Sequence, residues 1–450
     1  MFDRETAYKI LETALSYSTG DMTEAVLEGQ RLTLTRFAES KISDNIDTEE
    51  TTLYIRTVND KKMGVIATGD VSDEGIKSAV NDCESMLSYI PPDESFQSLP
   101  LPDENKLKED FIIKGTSDFG PTRRAEAVGL ISRVGLMGGL KASGAFRIEE
   151  NHLAVANSNN VRRFFKGNQA QLSMTLAGQE GNSGWAMGFN TDASEINVSA
   201  LAKKATEKAV KSREPIGIPD GQYTVILEPA AVGQLLLLLA FMGFGCKTLY
   251  QHRSFMAGKI GEKIAGDNFT VYEDPTIKVF NYCPFDYEGV TRKKTPLIVN
   301  GIARGVVYNS YYANLMGNES TGNALPPTNS YGPYPKTMSV AAGDSSIEDM
   351  IKSTEKGVLI THFWYLNFLN PMQTMVTGTT KDGTFLIENG QAKSAINNMR
   401  TNQSILEAFS NIEAITSDRI IYPQYSVLMQ VPGMKINNFN LIAEEEENKC

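Results

Sequence analysis

The stretch Leu235-Leu236-Leu237-Leu238-Leu239-Ala240-Phe241-Met242-Gly243-Phe244-Gly245-Cys246 is either a membrane span or the heart of a globular domain. It runs for about a dozen residues, whereas a span needs about 20. Pro229 sits where a first helical residue belongs, and Gly245 where a helix stops. The reading is a buried core helix. The opening residues, Met1 to Gly20, alternate charge with apolar side chains and lack a signal-peptide core.

The whole chain agrees with that reading. Its 450 residues exceed one ordinary core and predict two or three domains. Hydrophobic residues make up 41% and charged residues 22%, a globular balance. Acidic residues outnumber basic ones, 54 to 43, for a net charge of −11, and this argues against direct nucleic-acid binding. Arg162-Arg163 and Arg292-Lys293-Lys294 are short basic runs that read as solvated turns. The four cysteines, Cys83, Cys246, Cys283 and Cys450, are too scattered for a disulfide framework, which suits a reducing cytoplasm.

The pattern predicts an α+β fold: an N-terminal mixed α/β region, then a strand-rich C-terminal domain. Expected boundaries are 1–105, 106–218 and 219–450. Ala7, Ile10, Leu11, Ala14 and Leu15 share one helical face, and Ser72 caps a second helix carrying Ile76, Ala79, Val80, Cys83 and Leu87. Thr52, Tyr54 and Arg56 alternate with Leu53 and Ile55 as in a strand, and Met63–Ala67 follows a turn at Asn59-Asp60. Prolines 91, 92, 100 and 102 mark a break between Ile90 and Pro121. The middle segment holds a helix with Ala127, Val128, Ile131 and Val134, strands at Leu153–Asn157 and Gln171–Ala177, and a helix Val198–Lys211. Pro215–Gly221 reads as a linker. Farther on, Asn300-Gly301 and Asn389-Gly390 predict hairpin turns. Ser345 with Glu348 predicts a capping box for a helix ended by Gly357, and Glu444–Glu447 an acidic tail.

Chemical motifs are scarce. His152, His252 and His362 lie far apart, and neither His-Glu-x-x-His nor His-Glu-x-x-x-His occurs. A metal gathered from distant residues is the alternative. Ser183, in Gly181-Asn182-Ser183-Gly184, reads as a turn rather than a nucleophile elbow. Cys246 and His252 read as a core thiol beside a surface histidine, and Asp286 with Glu288 as carboxylates of a solvated loop. No phosphate-binding glycine motif is present.

Several landmarks, taken in order, resemble the TldD/PmbA family, also known by the label of DNA-gyrase modulators. They are Thr35–Ile42, Leu53–Met86, Ala156–Asn159, Asp220–Pro229, Asp286–Val290, Ser320–Ala324 and Phe385–Gly390. The resemblance implies two related subunits forming a cytoplasmic metallopeptidase that acts on unfolded peptides and leader peptides. One subunit type carries His-Glu-x-x-x-His on a helix, completed by a later cysteine. The matching stretch here, Gln234–Phe244, has neither histidine nor glutamate, and Tyr422-Pro423-Gln424-Tyr425 runs into a plain apolar strand. The likeness is therefore to the PmbA (TldE) type. It implies no catalytic or metal-binding residue in this chain, with zinc only in a partner subunit. That partner is a histidine-bearing TldD-type relative, or a second copy of this chain. A self-sufficient peptidase and a non-enzymatic peptide- or partner-binding protein are the competing readings. Ser320, Thr321, Asn323, Asp286 and Glu288 are the candidate cavity or interface residues, although tight-turn chemistry explains the first three equally well.

Overall fold

The computed structural model describes residues 1–280 and 282–443; Glu444–Glu447 and Cys450 lie outside the described residues. The first part comprises α1 (Arg4–Tyr17), β1 (Met22–Ala38), β2 (Lys41–Asn59), β3 (Lys62–Thr68), α2 (Asp73–Met86), β4 (Asp110–Phe111), α3 (Lys114–Ser117), α4 (Pro121–Met137), β5 (Lys141–Asn157), β6 (Arg162–Ala177), β7 (Ser183–Asn190) and α5 (Val198–Lys211). Its strands form one seven-stranded sheet, β3-β2-β1-β5-β6-β4, with β7 also on β6. Strand β1 pairs antiparallel with β5 from Glu24↔Asn157 to Phe37↔Gly144, so the sheet runs unbroken across the proline-rich segment.

Period-two patterning divides the faces of this sheet. Ala25 and Leu27 of β1, Leu53 and Ile55 of β2 and Ala154 of β5 pack under α1 and α2. Farther along, Phe146, Leu172 and Met174 pack under α4 and α5. The opposite face carries Val26, Leu153, Val155 and Phe165, and these meet Cys283 and Phe285 of the C-terminal part.

That part comprises β8 (Gly221–Leu227), α6 (Pro229–Gly243), α7 (Cys246–Tyr250), β9 (Val271–Glu273), β10 (Thr295–Val299), β11 (Ile302–Ala303), α8 (Ser310–Leu315), β12 (Thr337–Val340), α9 (Ile347–Lys352), β13 (Lys356–Asn370), β14 (Met375–Glu388), β15 (Gln391–Ala395), β16 (Met399–Ser404), α10 (Ile405–Ser410), β17 (Ile412–Gln424) and β18 (Val427–Ala443). Its strands form an eleven-stranded sheet. The architecture is α+β with a strand-rich C-terminal region. Helix α6 is apolar almost all round, and Leu235, Leu236, Leu237 and Leu239 belong to the largest hydrophobic cluster. A helix of that kind lies inside a domain. Among the described residues no helix is long and apolar enough to cross a membrane.

Local expectations meet mixed outcomes. Asp60 and Lys61 between β2 and β3, and both Asn-Gly pairs, have positive φ as tight hairpins require. Ser72 caps α2 by accepting the Gly75 N–H at 3.1 Å. The cap is displaced by one residue: Ser346, not Ser345, accepts from the Asp349 N–H at 3.1 Å, and its hydroxyl donates to the Asp349 carboxylate at 2.7 Å. Gly357 lies inside β13 instead of ending α9. Gly245 is the N-cap of α7, since Phe244 already closes α6. The stretch at Pro215–Gly221 is partly pinned, through a bridge from Ile216 to Ile396.

Candidate functional site

The polar side of β1 and β2 is covered by the C-terminal part, and the site lies between them. Glu24 stands opposite Arg56 in the antiparallel register. Their outer neighbour is the loop carrying Asp286 and Glu288. The expectation of a solvated loop is corrected: Asp286 is 0% and Glu288 2% exposed. Asp286 is enclosed because its carboxylate accepts the N–H groups of Glu288 (2.9 Å), Val290 (3.0 Å) and Ala324 (2.8 Å). Gly289 turns that loop with φ +75°.

Charge links the two parts. Arg56 lies 3.6 Å from Glu24 and 3.5 Å from Glu288. Glu288 also accepts the Ser310 N–H at 2.9 Å, at the start of α8. Arg292, expected in a solvated turn, is instead buried, 3.5 Å from Glu273. Glu273 accepts the Thr337 N–H and hydroxyl, both at 2.9 Å, and the Asn323 amide at 3.2 Å. Tyr287 and Tyr54 donate to Glu28 at 2.5 and 3.2 Å. Burial pushes Glu24 up to about 7 even beside Arg56. Burial, then the Glu288 charge, also raises Asp286, against its three N–H donors.

The five candidate residues thus fall within one polar network but have different surroundings. Glu288 faces a cavity of about 370 Å³ bounded by Arg56, Phe96, Tyr311 and Pro326. Asp286 and Asn323 brace the loops behind it. Thr321 accepts the Tyr308 N–H at 2.7 Å and donates to Asn323 at 2.8 Å, while Ser320 accepts the Gly322 N–H at 3.2 Å. The Ser320–Asn323 segment does the work of a tight turn. A second cavity of about 300 Å³ is lined by Glu28, His152, Tyr282, Arg292 and Lys336. Leu325 and Pro326 border both. Glu24, Glu28, Arg56, Glu273, Arg292 and Lys336 were not singled out as site residues from the sequence. For Glu24, Glu28 and Arg56 the signal was charge at alternate positions of β1 and β2, which by itself points equally to water; Glu273, at the end of β9, and the loop residues Arg292 and Lys336 carried no such pattern.

Histidine and cysteine chemistry lies elsewhere. His152 is buried with Nε2 2.9 Å from Glu150, and His252 is exposed with φ +54°. His362 contacts Asp382 at 2.9 Å, and Ser183 donates to the same carboxylate at 2.7 Å, so the hydroxyl faces an acid instead of the imidazole base. Burial pushes the Cys246 and Cys283 thiols up to about 12, far from thiolate reactivity.

Sequence and fold comparisons add to this geometry. Family models for the PmbA/TldA metallopeptidase match its domain 1 at residues 23–87, its central domain at 125–213 and its C-terminal domain at 220–443. The chain belongs to the PmbA/TldD family. Within it, a metalloprotease of Methanothermobacter thermautotrophicus is 24% identical over 233 residues, and the match spans 49%, about half, of either protein. A PmbA-homologue metalloprotease of Haemophilus influenzae is 21% identical over 394 residues, 83% of each chain. The crystal structure of TldE from Thermococcus kodakarensis superposes with a TM-score of 0.88 at 23% identity, covering 97% of this chain and 100% of that one; it establishes the fold.

A metallopeptidase family raises the question of a metal. Among the described residues no group of three or more His, Cys, Asp or Glu is placed to hold one. Helix α6 offers only Gln234, whose amide is engaged by the Phe363 N–H (2.8 Å) and carbonyl (2.9 Å). Glu228, at its N-cap, is ion-paired with Lys204 (3.0 Å) and Lys208 (2.6 Å). That donor set does not fit a divalent cation.

Proposed function

We propose that this chain is the metal-free subunit of a cytoplasmic TldD/PmbA-type metallopeptidase dimer, and that a histidine-bearing relative supplies the zinc. The observation that carries the reading is α6: the helix expected to display metal ligands is filled with leucine and locked by Gln234. The cleft between the two sheets, with its two cavities, then helps to hold an unfolded or leader peptide near the partner's metal. An exposed apolar end on the β13–β14 hairpin, with Trp364, Tyr365, Leu369 and Met372, suits subunit contact.

Purification from native lysate with an affinity tag is the direct test. A histidine-bearing family member should accompany the chain, and the pair should hydrolyse unfolded peptide until a chelator is added. The isolated chain should carry no stoichiometric zinc. Chelator-sensitive hydrolysis by the isolated chain would overturn the reading. Recovery of the chain only with itself would move the proposal to a homodimer.

A further inference from the structure

The second cavity contains two cations with unfilled donors. Arg292 is 7% exposed, and its guanidinium carbon lies 5.2 Å from the centre of the Tyr282 ring. Its Nε donates to the Phe285 carbonyl at 3.2 Å, while Nη1 is 3.5 Å from Glu273 and has no hydrogen-bond partner. Lys336 lines the same cavity. Among the described residues its ammonium makes no ion pair and no hydrogen bond, and the nearest recorded ring, Tyr334, is 5.9 Å away. Glu28 also lines the cavity, but its two oxygens are taken by Tyr54 and Tyr287. Burial, then the charge of Arg292, pushes Lys336 down to about 8, while the charges of Glu28 and Glu273 push the other way.

We infer that this cavity is a carboxylate-binding site, in which Lys336 and Arg292 hold the anion between the two parts of the molecule. Lys336 is half-buried with no anionic partner, and Arg292 has only the 3.5 Å contact with Glu273, so a bound anion gains from both charges. Charge selects the class of anion. Glu28 and Glu149 border the same space, so a dianion is repelled more strongly than a monoanion. Phe165, Leu153 and Tyr282 give the body of the ligand apolar walls, and Gln30, Asn151 and Gln169 give it amide partners. At about 300 Å³ the space lies at the small end of the range for ligand pockets, about 300–1,000 Å³. It takes a small organic acid, or the last residue or two of a chain ending in a free carboxylate. The inference rests on this chain's own residues; a chain-end ligand would deepen the peptide-holding role proposed for this cavity, whereas a free acid would not need it.

Calorimetric titration of the isolated full-length chain tests it, with acetate, trialanine as the free acid, trialanine amide and inorganic phosphate as probes. At least one acid should bind, trialanine amide should bind at least tenfold more weakly than the acid that binds, and phosphate should be weaker than that acid. Acetate binding as tightly as trialanine assigns a free acid; trialanine alone assigns a chain end; both support the carboxylate site. Lys336→Met should weaken the acid at least tenfold and leave the amide unchanged. Equal binding of acid and amide, phosphate as the tightest probe, no acid binding, or an indifferent Lys336→Met would each overturn it. The comparison of acid with amide needs no variant, so it stands even if Lys336→Met fails to fold. Because only binding is measured, without partner or metal, failure here is distinct from failure of the subunit reading.

Discussion

Glu24 shows what one buried side chain does to the whole balance of stability. Its carboxyl has no hydrogen-bond partner among the described residues and is raised to about 7 from an ordinary 4.5. The folded state therefore takes up a proton that the unfolded state releases. That contribution is complete below pH 4.5 and is lost as pH rises through 7, by about 3 kcal/mol. Denaturant unfolding should show stability falling between pH 5 and 7.5, and Glu24→Gln should flatten much of that slope. Gly289 is a second single-residue test. A Cβ there would lie 2.6 Å from Val161 Cγ1 at φ +75°. Gly289→Ala should cost about 1–3 kcal/mol by the same measurement. From the sequence, Asp286 and Glu288 stood out as an acidic pair, but a short loop rich in glycine and proline gives no sign that another domain will close over it. Burial there is a property of distant residues such as Ala324 and Arg56.

At the level of elements, α6 was legible because a run of leucines between Pro229 and Gly245 is too short for a membrane and too apolar for a surface. Helix α2 was equally plain, its cap and stripe being local, and α5 was read at its full span, Val198–Lys211. Strand β2 was legible as a strand, but Tyr54 and Arg56 face the second part of the molecule instead of solvent, and alternation alone cannot say what covers a face. The β13–β14 hairpin carries a different consequence. Strand β13 pairs with β8 only over Gly357–Ile360, and beyond that its outer edge has no strand partner among the described residues. Trp364 is 61% and Leu369 54% exposed there. An apolar, unpaired edge invites another chain. Trp364→Ser with Leu369→Ser should weaken association at least tenfold in sedimentation, with the melting temperature nearly unchanged.

Across the whole molecule, Arg56 ties the first sheet to the loop at Glu288, and Arg163 adds a second tie by donating to the Gly289 carbonyl at 3.3 Å. Arg56→Met leaves Glu24 and Glu288 facing each other unpaired, at a cost of about 3–5 kcal/mol. Calorimetry should then show a lowered melting temperature in a single transition, because the Glu228 pairs with Lys204 and Lys208 and the apolar cluster around Phe285 still join the two parts. The interface was the part least readable from the sequence, since its charges meet only when β1 and β2 are brought against the distant 286–292 loop.

The proline-rich passage from Ile90 to Glu109 crosses a sheet that is already joined by β1 and β5. Asp103 in that passage is held by Arg163 at 2.6 Å and by Thr291 at 2.7 Å. The passage is thus a strap lying over a closed seam, not a hinge between independent bodies. A protease nick there should yield two fragments that travel as one particle on gel filtration and separate only in denaturant.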